Sequence, residues 1–247
     1  MANDVLISAE LVPRTPNLTA LLHRRAVFGF GALLLLTIPA FWFSYFFPPK
    51  VESALRVHVH GIAMFLWLIL LMTQATLIRN ASRPLHRAIG KASYVLFPVI
   101  FVSTLSVQHL RLNQKIDAEQ LYFLYVVLSL LSVFALSYAL GMWNRKKPAL
   151  HARYMVCTAL ALVDPIAGRV VFFHFGIEPP QMQVATYALV DAILIWLAYA
   201  DWRSGNGIRV FPAMLAVFVA AQIPTFIFFR MPWWPRFAEW YAALPLF

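Results

Sequence analysis

The sequence predicts an all-α integral membrane protein, one bundle of seven transmembrane helices, and three observations support this fold class. Hydrophobic residues make up 62% of the 247 residues, whereas charged residues make up only 12%, about half of the share in a typical soluble domain. Several apolar runs exceed the roughly 18 residues that mark a membrane-spanning helix. The segments between these runs are short, so neighbouring helices are expected to pack antiparallel.

Each predicted span is bounded by residues that end a helix or that carry charge out of the lipid. The spans cover residues 26–47, 57–78, 86–109, 120–143, 151–174, 182–202 and 210–229. Their flanking residues, in chain order, are Arg25 and Pro48, Arg56 and Arg79, Pro84 and Arg111, Glu119 and Asn144, Pro148 and Gly176, Pro180 and Arg203, and Arg209 and Arg230. The seventh span contains Gln222 and Pro224 and is the weakest of the set.

The chain on either side of the bundle differs in character. Residues 1–25 are polar and contain prolines and arginines, which predicts a cytoplasmic N-terminal segment ahead of a single domain at 26–229. Residues 230–247 are aromatic and broken by prolines, which predicts a tail at the membrane interface. Four side chains of this tail are expected at the depth of the lipid headgroups: Trp233, Trp234, Trp240 and Tyr241.

The distribution of Lys and Arg residues predicts how the protein is oriented in the membrane. Most of the 20 Lys and Arg residues fall at one end of the predicted bundle, and this end is expected to face the cytoplasm. The N-terminus is therefore predicted inside and the C-terminus outside, in a multi-pass protein of the bacterial cytoplasmic (inner) membrane. The net charge of +10 is explained by this asymmetry and indicates the lipid bilayer, not nucleic acid, as the partner.

Two stretches place Leu-His after a proline at the start of a span: "RPLHRAIGKASY" at 83–94 and "PALHARYMVC" at 148–157. Spans three and five run parallel, so His86 and His151 are predicted at one depth. The positive end of a helix disfavours a protonated imidazole, and the neutral form is the one that binds metals. We therefore expect these histidines to bind one haem b or a metal ion, with Arg87 and Arg153 available for haem propionates.

His60 is the third metal-ligand candidate, because it and His58 point to opposite sides of their helix and His60 is expected to face the bundle. The alternative for His86, His151 and their basic neighbours is an interfacial belt that binds lipid phosphate.

Three charged residues are predicted inside the membrane: Asp164 and Arg169 in span five and Asp191 in span six. An unpaired charge in lipid is costly and is a functional-site candidate by default. We expect a polar cavity around these residues, and the alternative is a structural ion pair of Arg169 with one of the two aspartates.

The histidine motifs resemble a family of bacterial membrane proteins, the domain of unknown function 2306, to which no activity is assigned. The resemblance rests on "HGIAMFLWLI" with His60, on "LHRAIGKASY" with His86, and on "HARYMVC" with His151, followed by Arg169. This sequence departs from the family pattern at Tyr154, where the family has Trp, and at Cys157, where it has Arg.

The arrangement is also similar, more loosely, to the ascorbate-reducible transmembrane b-type cytochromes. In those proteins histidines of the third and fifth helices hold one haem. A second haem there uses two other helices, but the fourth span here contains no histidine. The resemblance therefore implies one haem.

Three functions follow as hypotheses. The first is a redox protein that exchanges electrons with a quinone or a partner subunit. The second is a proton-coupled transporter or small-ligand binder that uses the intramembrane Asp/Arg cavity. The third is a non-catalytic membrane subunit or assembly factor.

Overall fold

The computed structural model describes residues 18–47, 54–205 and 207–245, so most of the predicted N-terminal segment lies outside the described residues. Within these ranges the chain folds into ten α-helices: α1 Leu18–Phe41, α2 Leu55–Arg79, α3 Arg83–Gly90, α4 Ser93–Gln114, α5 Ala118–Trp143, α6 Pro148–Leu160, α7 Val163–Phe175, α8 Gln181–Arg203, α9 Val210–Gln222 and α10 Trp233–Ala242. A short π-helix, Trp42–Phe46, extends α1, and 3-10 turns at Ile223–Phe226 and Phe228–Arg230 follow α9.

Six segments are long and apolar enough to cross a bilayer: Arg25–Phe46, Leu55–Arg79, Arg83–Gln114, Ala118–Trp143, Pro148–Phe175 and Gln181–Arg203. A shorter apolar segment, Val210–Phe226, follows them. The prediction of an all-α multi-pass membrane protein is confirmed.

The shorter seventh segment runs antiparallel to α8. The hydroxyl groups of Tyr187 and Thr225 lie 2.8 Å apart, and the Gln222 side-chain amide donates to Asp191 Oδ1 at 3.0 Å. Residues near the end of this segment therefore lie beside the first half of α8, as an antiparallel crossing requires.

Two of the predicted spans are interrupted. The third was expected to be continuous over 86–109, but α3 ends at Gly90 and α4 begins at Ser93. Glycine is a weak helix former, and the Ser93 hydroxyl donates to the Gly90 carbonyl at 2.7 Å, in place of a regular turn.

The fifth span divides between α6 and α7, just ahead of the Asp164-Pro165 pair. In a regular helix the Ala161 carbonyl would accept a hydrogen bond from the backbone N–H of residue 165. Proline has no N–H, so this hydrogen bond cannot form.

This fifth span is the centre of the bundle, because α5, α1, α8 and α9 all pack around its two halves. In its most apolar stretch 61% of residues are buried by protein, against 22–39% in the other five long spans. Three of its polar side chains, Arg153, Thr158 and Asp164, are buried and face protein and not lipid, so this span can carry a site.

The C-terminal tail differs from the prediction. We expected all four of its aromatic side chains at lipid headgroups, but Trp234 and Tyr241 are buried where α10 packs on α4 and α5. Each finds a backbone acceptor, since Trp234 Nε1 donates to the Leu121 carbonyl at 2.9 Å and Tyr241 donates to the Leu105 carbonyl at 2.7 Å. Only Trp233 and Trp240, of the four, remain exposed as expected.

The turn between α4 and α5 is closed by an N-cap. Asp117 accepts a hydrogen bond from the Gln120 backbone N–H at 2.8 Å, and Lys115 Nζ lies 2.7 Å from its other oxygen. The hydrogen bond from Lys115 lowers the pKa of Asp117, so the cap is ionised at neutral pH.

Candidate functional site

His151 lies in the first turn of α6, behind Pro148, which has the backbone angle that a helix start needs. Its Nδ1 lies 2.8 Å from the carbonyl oxygen of Gly141 on α5. A carbonyl only accepts hydrogen bonds, so Nδ1 carries the proton and Nε2 keeps its lone pair. The neighbouring helix thus fixes the tautomer of His151 with Nε2 ready to bind a metal.

The close approach of α5 and α6 requires glycine at 141. A Cβ atom at this position would lie 3.0 Å from Met155 Sδ and 3.4 Å from Tyr154 Cβ. Gly141 therefore allows its carbonyl to come within hydrogen-bond distance of His151 across the helix interface.

His86 lies in the first turn of α3, where its backbone N–H donates to the Ser82 carbonyl at 3.0 Å. Its imidazole is half-buried, and its ring centre lies 6.4 Å from that of His151 with the two ring planes at 89°. The structure brings together the two histidines that the repeated Leu-His pattern singled out.

This separation matches a simple coordination geometry. Two imidazoles on opposite sides of one ion, with metal–nitrogen bonds of about 2.0–2.1 Å, place their ring centres roughly 6.3 Å apart. The same 6.4 Å also lies in the range of an ordinary edge-to-face ring contact. The distance alone is compatible with both, so the surroundings of the pair decide between them.

Two buried side-chain donors of α2 lie at its contacts with α3 and α5. Trp67 Nε1 and Gln74 Nε2 have no hydrogen-bond acceptor in the part of the chain that the structure describes. They are seven residues apart and therefore share one face of the helix. Gln74 lies against α3, since a Cβ atom at Gly90 would be 3.1 Å from its Oε1. Unsatisfied buried donors are rare and point to a ligand or water with acceptor atoms.

An aromatic cluster continues inward from the histidines. Trp67 contacts Phe134 and Tyr138, with ring centres 5.0 and 5.5 Å apart, and Phe97 stacks on Tyr138 at 4.3 Å. The Tyr138 hydroxyl donates to Ser93 Oγ at 3.1 Å, at the break between α3 and α4. This cluster anchors the start of α4 to α5, directly after the helix that carries His86.

The two arginines predicted beside a cofactor have different surroundings. Arg87 is exposed on α3 next to His86, as are Arg83 and Lys91. Arg153 is fully buried and forms a two-pronged ion pair with Asp201 at the end of α8, with Nε donating to Oδ2 at 2.7 Å. The sequence analysis did not single out Asp201, because it lies 48 residues from its partner and its place near a span end looked like an ordinary loop charge.

His60, the third candidate metal ligand, lies far from the other two. It lies in the first turns of α2, whereas His86 follows the end of that helix, about 30 Å away at 1.5 Å per residue. Its Nδ1 lies 3.4 Å from the hydroxyl groups of Ser103 and Thr104 on α4. Among the described residues no group of three or more His, Cys, Asp or Glu side chains is placed to hold a metal ion.

The intramembrane charges occupy separate positions instead of one cavity. Asp164 accepts hydrogen bonds from Gln183 and Thr186 of α8. Asp191, one turn after Tyr187, bonds to Gln222 of α9.

Arg169 donates to the Pro165 carbonyl at 2.7 Å and lies over the Phe41 ring at 4.6 Å. The alternative of a structural ion pair is not found among the described residues, because neither Asp164 nor Asp191 lies within ion-pair distance of Arg169 there.

The two histidines at the opposite ends of spans three and five contact backbone carbonyl groups. His109 lies 2.8 Å from the Leu244 carbonyl of the tail, and His174 lies 3.0 Å from the Pro39 carbonyl of α1. Both contacts fit a structural role.

Comparison with known proteins found no matching family model, no similar curated protein and no similar solved structure. The functional interpretation consequently rests on the geometry of the chain itself.

Proposed function

We propose that this multi-pass membrane protein is a redox protein that holds one haem b between His86 and His151 at the cytoplasmic end of the bundle. The proposal includes seven membrane crossings, with the N-terminus inside. One-electron transfer is the chemistry that a bound haem would supply, with a quinone or a partner subunit as the other redox partner.

The observation that carries the proposal is the paired geometry of the two imidazoles. They come from two different helices, 65 positions apart in the sequence, and their ring centres are 6.4 Å apart. The Gly141 carbonyl selects the His151 tautomer that a ligand needs and makes its Nε2 more basic. His86 and His151 would hold the haem between them, so this pair of histidines would be a complete set of protein ligands.

The surroundings fit a flat anionic group. Arg83 and Arg87 of α3, and Lys91 just after it, are exposed and can pair with propionates. The unsatisfied Gln74 Nε2 donor lies against the same helix. The α3 helix packs on α2, and α6 packs mainly on α5, so the two histidines reach each other from different helix pairs.

The experiment is an optical spectrum of detergent-purified protein, oxidised and dithionite-reduced, with iron analysis on the same sample. The expected result is one haem per chain, with sharp α and β bands on reduction. His86→Ala and His151→Ala should each abolish these bands, whereas the matched control His174→Ala, on the same span as His151, should retain them.

Loss of absorbance through misfolding is distinguished by chemical rescue. His151→Gly should recover the reduced spectrum when imidazole is added, because the free ring replaces the missing ligand. A colourless, iron-free wild-type protein from haem-supplemented cells would overturn the proposal, as would full absorbance in both histidine variants.

A further inference from the structure

The middle of the fifth span contains more acceptor atoms than donors. Asp164 is 4% exposed and lies in the first turn of α7, about 20 Å along the span from His151. Gln183 Nε2 donates to its Oδ1 at 2.5 Å, and the Thr186 hydroxyl donates to the same oxygen. Both donors are neutral, and no cation within ion-pair distance is present among the described residues.

Gln183 adds a second acceptor that lacks a partner. Its side chain is 1% exposed, and its Oε1 accepts no hydrogen bond from the described part of the chain. The amide is held by its bond to Asp164, so Oε1 belongs to a group that contacts the carboxylate. A buried carbonyl oxygen without a donor is costly, and its position next to a carboxylate indicates that an electropositive group belongs there.

The helix break supplies a third oxygen. Pro165 leaves the buried Ala161 carbonyl without its usual donor, one turn before Asp164. The C-terminal end of α6, where this carbonyl lies, carries partial negative charge. Broken helices at mid-membrane use such carbonyls, together with carboxylates, to coordinate cations.

We propose that Asp164, Gln183 and Thr186 form a binding site for a sodium ion at the break between α6 and α7. The donor set is all oxygen, which suits a hard cation. One carboxylate balances one positive charge, so the low-dielectric interior favours a monovalent ion over a divalent one at this site. This site is independent of the histidine pair and of the haem proposal.

The test is thermal unfolding of purified protein, followed by tryptophan fluorescence, in NaCl or choline chloride at constant ionic strength. Wild type should show a saturable rise in unfolding temperature, of roughly 5–10 °C at a hundred times the dissociation constant. Asp164→Asn should show no rise. Asp191→Asn, which removes the other intramembrane carboxylate of this region, is the matched control and should respond as wild type does.

A direct measurement covers the case in which Asp164→Asn does not fold. Radioactive sodium should bind wild type at one ion per chain, and Thr186→Val should weaken this binding at least tenfold. Equal stabilisation by choline, a sodium response that persists in Asp164→Asn, or no saturable sodium binding to wild type would each overturn the site. The carboxyl group would then be a hydrogen-bonded structural group only.

Discussion

The buried ion pair between Arg153 and Asp201 gives the sharpest prediction about stability. The two side chains are 0% and 1% exposed, and Arg153 also donates to the Ala149 carbonyl at 2.8 Å. Replacing Asp201 by Ala leaves a guanidinium in the protein interior without its counter-charge. Removal of one partner of a buried pair costs about 3–5 kcal/mol. Because the bond to Ala149 remains, we expect the lower end, about 3 kcal/mol.

The double variant Arg153→Met with Asp201→Leu removes both charges and keeps apolar volume. Replacement of a whole buried pair is neutral or stabilising in many proteins. We therefore expect the double variant to lie within about 1 kcal/mol of wild type, which makes the coupling energy at least about 2 kcal/mol.

The assay is SDS-induced unfolding in mixed micelles, followed by tryptophan fluorescence, for wild type, both single variants and the double variant. A loss below about 1 kcal/mol in Asp201→Ala, or a double variant no more stable than the single ones, would refute the reasoning. The same samples carry a second readout. If Arg153 is structural, the double variant keeps the haem absorbance of wild type, whereas a propionate partner would lose it.

Three further predictions concern packing and topology. Gly141→Ala should lower stability by about 1–3 kcal/mol in the same unfolding assay, because the added Cβ would meet Met155 Sδ at 3.0 Å; an unchanged midpoint would contradict it. Trp234→Phe loses the hydrogen bond to α5, at about 1 kcal/mol, and should speed proteolytic removal of the tail, with unchanged cleavage as the contrary result. In a Cys157→Ala background, Lys115→Cys should react with an impermeant maleimide from outside intact cells and Lys146→Cys should not; the reverse pattern would invert the topology.

The fold could be predicted from composition and the length of the apolar runs, since lipid leaves few structures in which backbone groups are satisfied. The two interruptions were harder to place. Asp164-Pro165 marks its break in the sequence, but the break at Lys91–Ala92 depends on a serine hydroxyl that returns to the Gly90 carbonyl. The serine hydroxyl there competes with the backbone hydrogen bonds of the helix. A glycine with a serine shortly after it is too common in helices to predict such a break.

The residues of the candidate site that belong to a repeated sequence pattern could be predicted. Those whose role depends on a contact with a residue distant in the sequence could not. His86 and His151 stood out because each follows a proline at a helix start, and parallel spans bring such positions to one depth. Asp201 and Gln183 did not stand out, since their roles come from Arg153 and Asp164 on a neighbouring helix. The periodicity of a sequence predicts the face of the helix on which a residue lies. It does not predict which residue of a neighbouring helix that side chain contacts, because this depends on how the helices pack.

The two proposed sites share one span yet should behave independently. His151 belongs to α6 and donates a hydrogen bond to a carbonyl of α5. Asp164 belongs to α7 and accepts hydrogen bonds from side chains of α8. They lie about 20 Å apart along the helix axis, and the described contacts give them no common partner. Substitutions at such distances are usually additive. Asp164→Asn should therefore leave the haem spectrum unchanged, and His151→Ala should leave the sodium response unchanged. If either variant removes both properties, the cause is a loss of the central helix as a whole, and neither effect identifies a ligand.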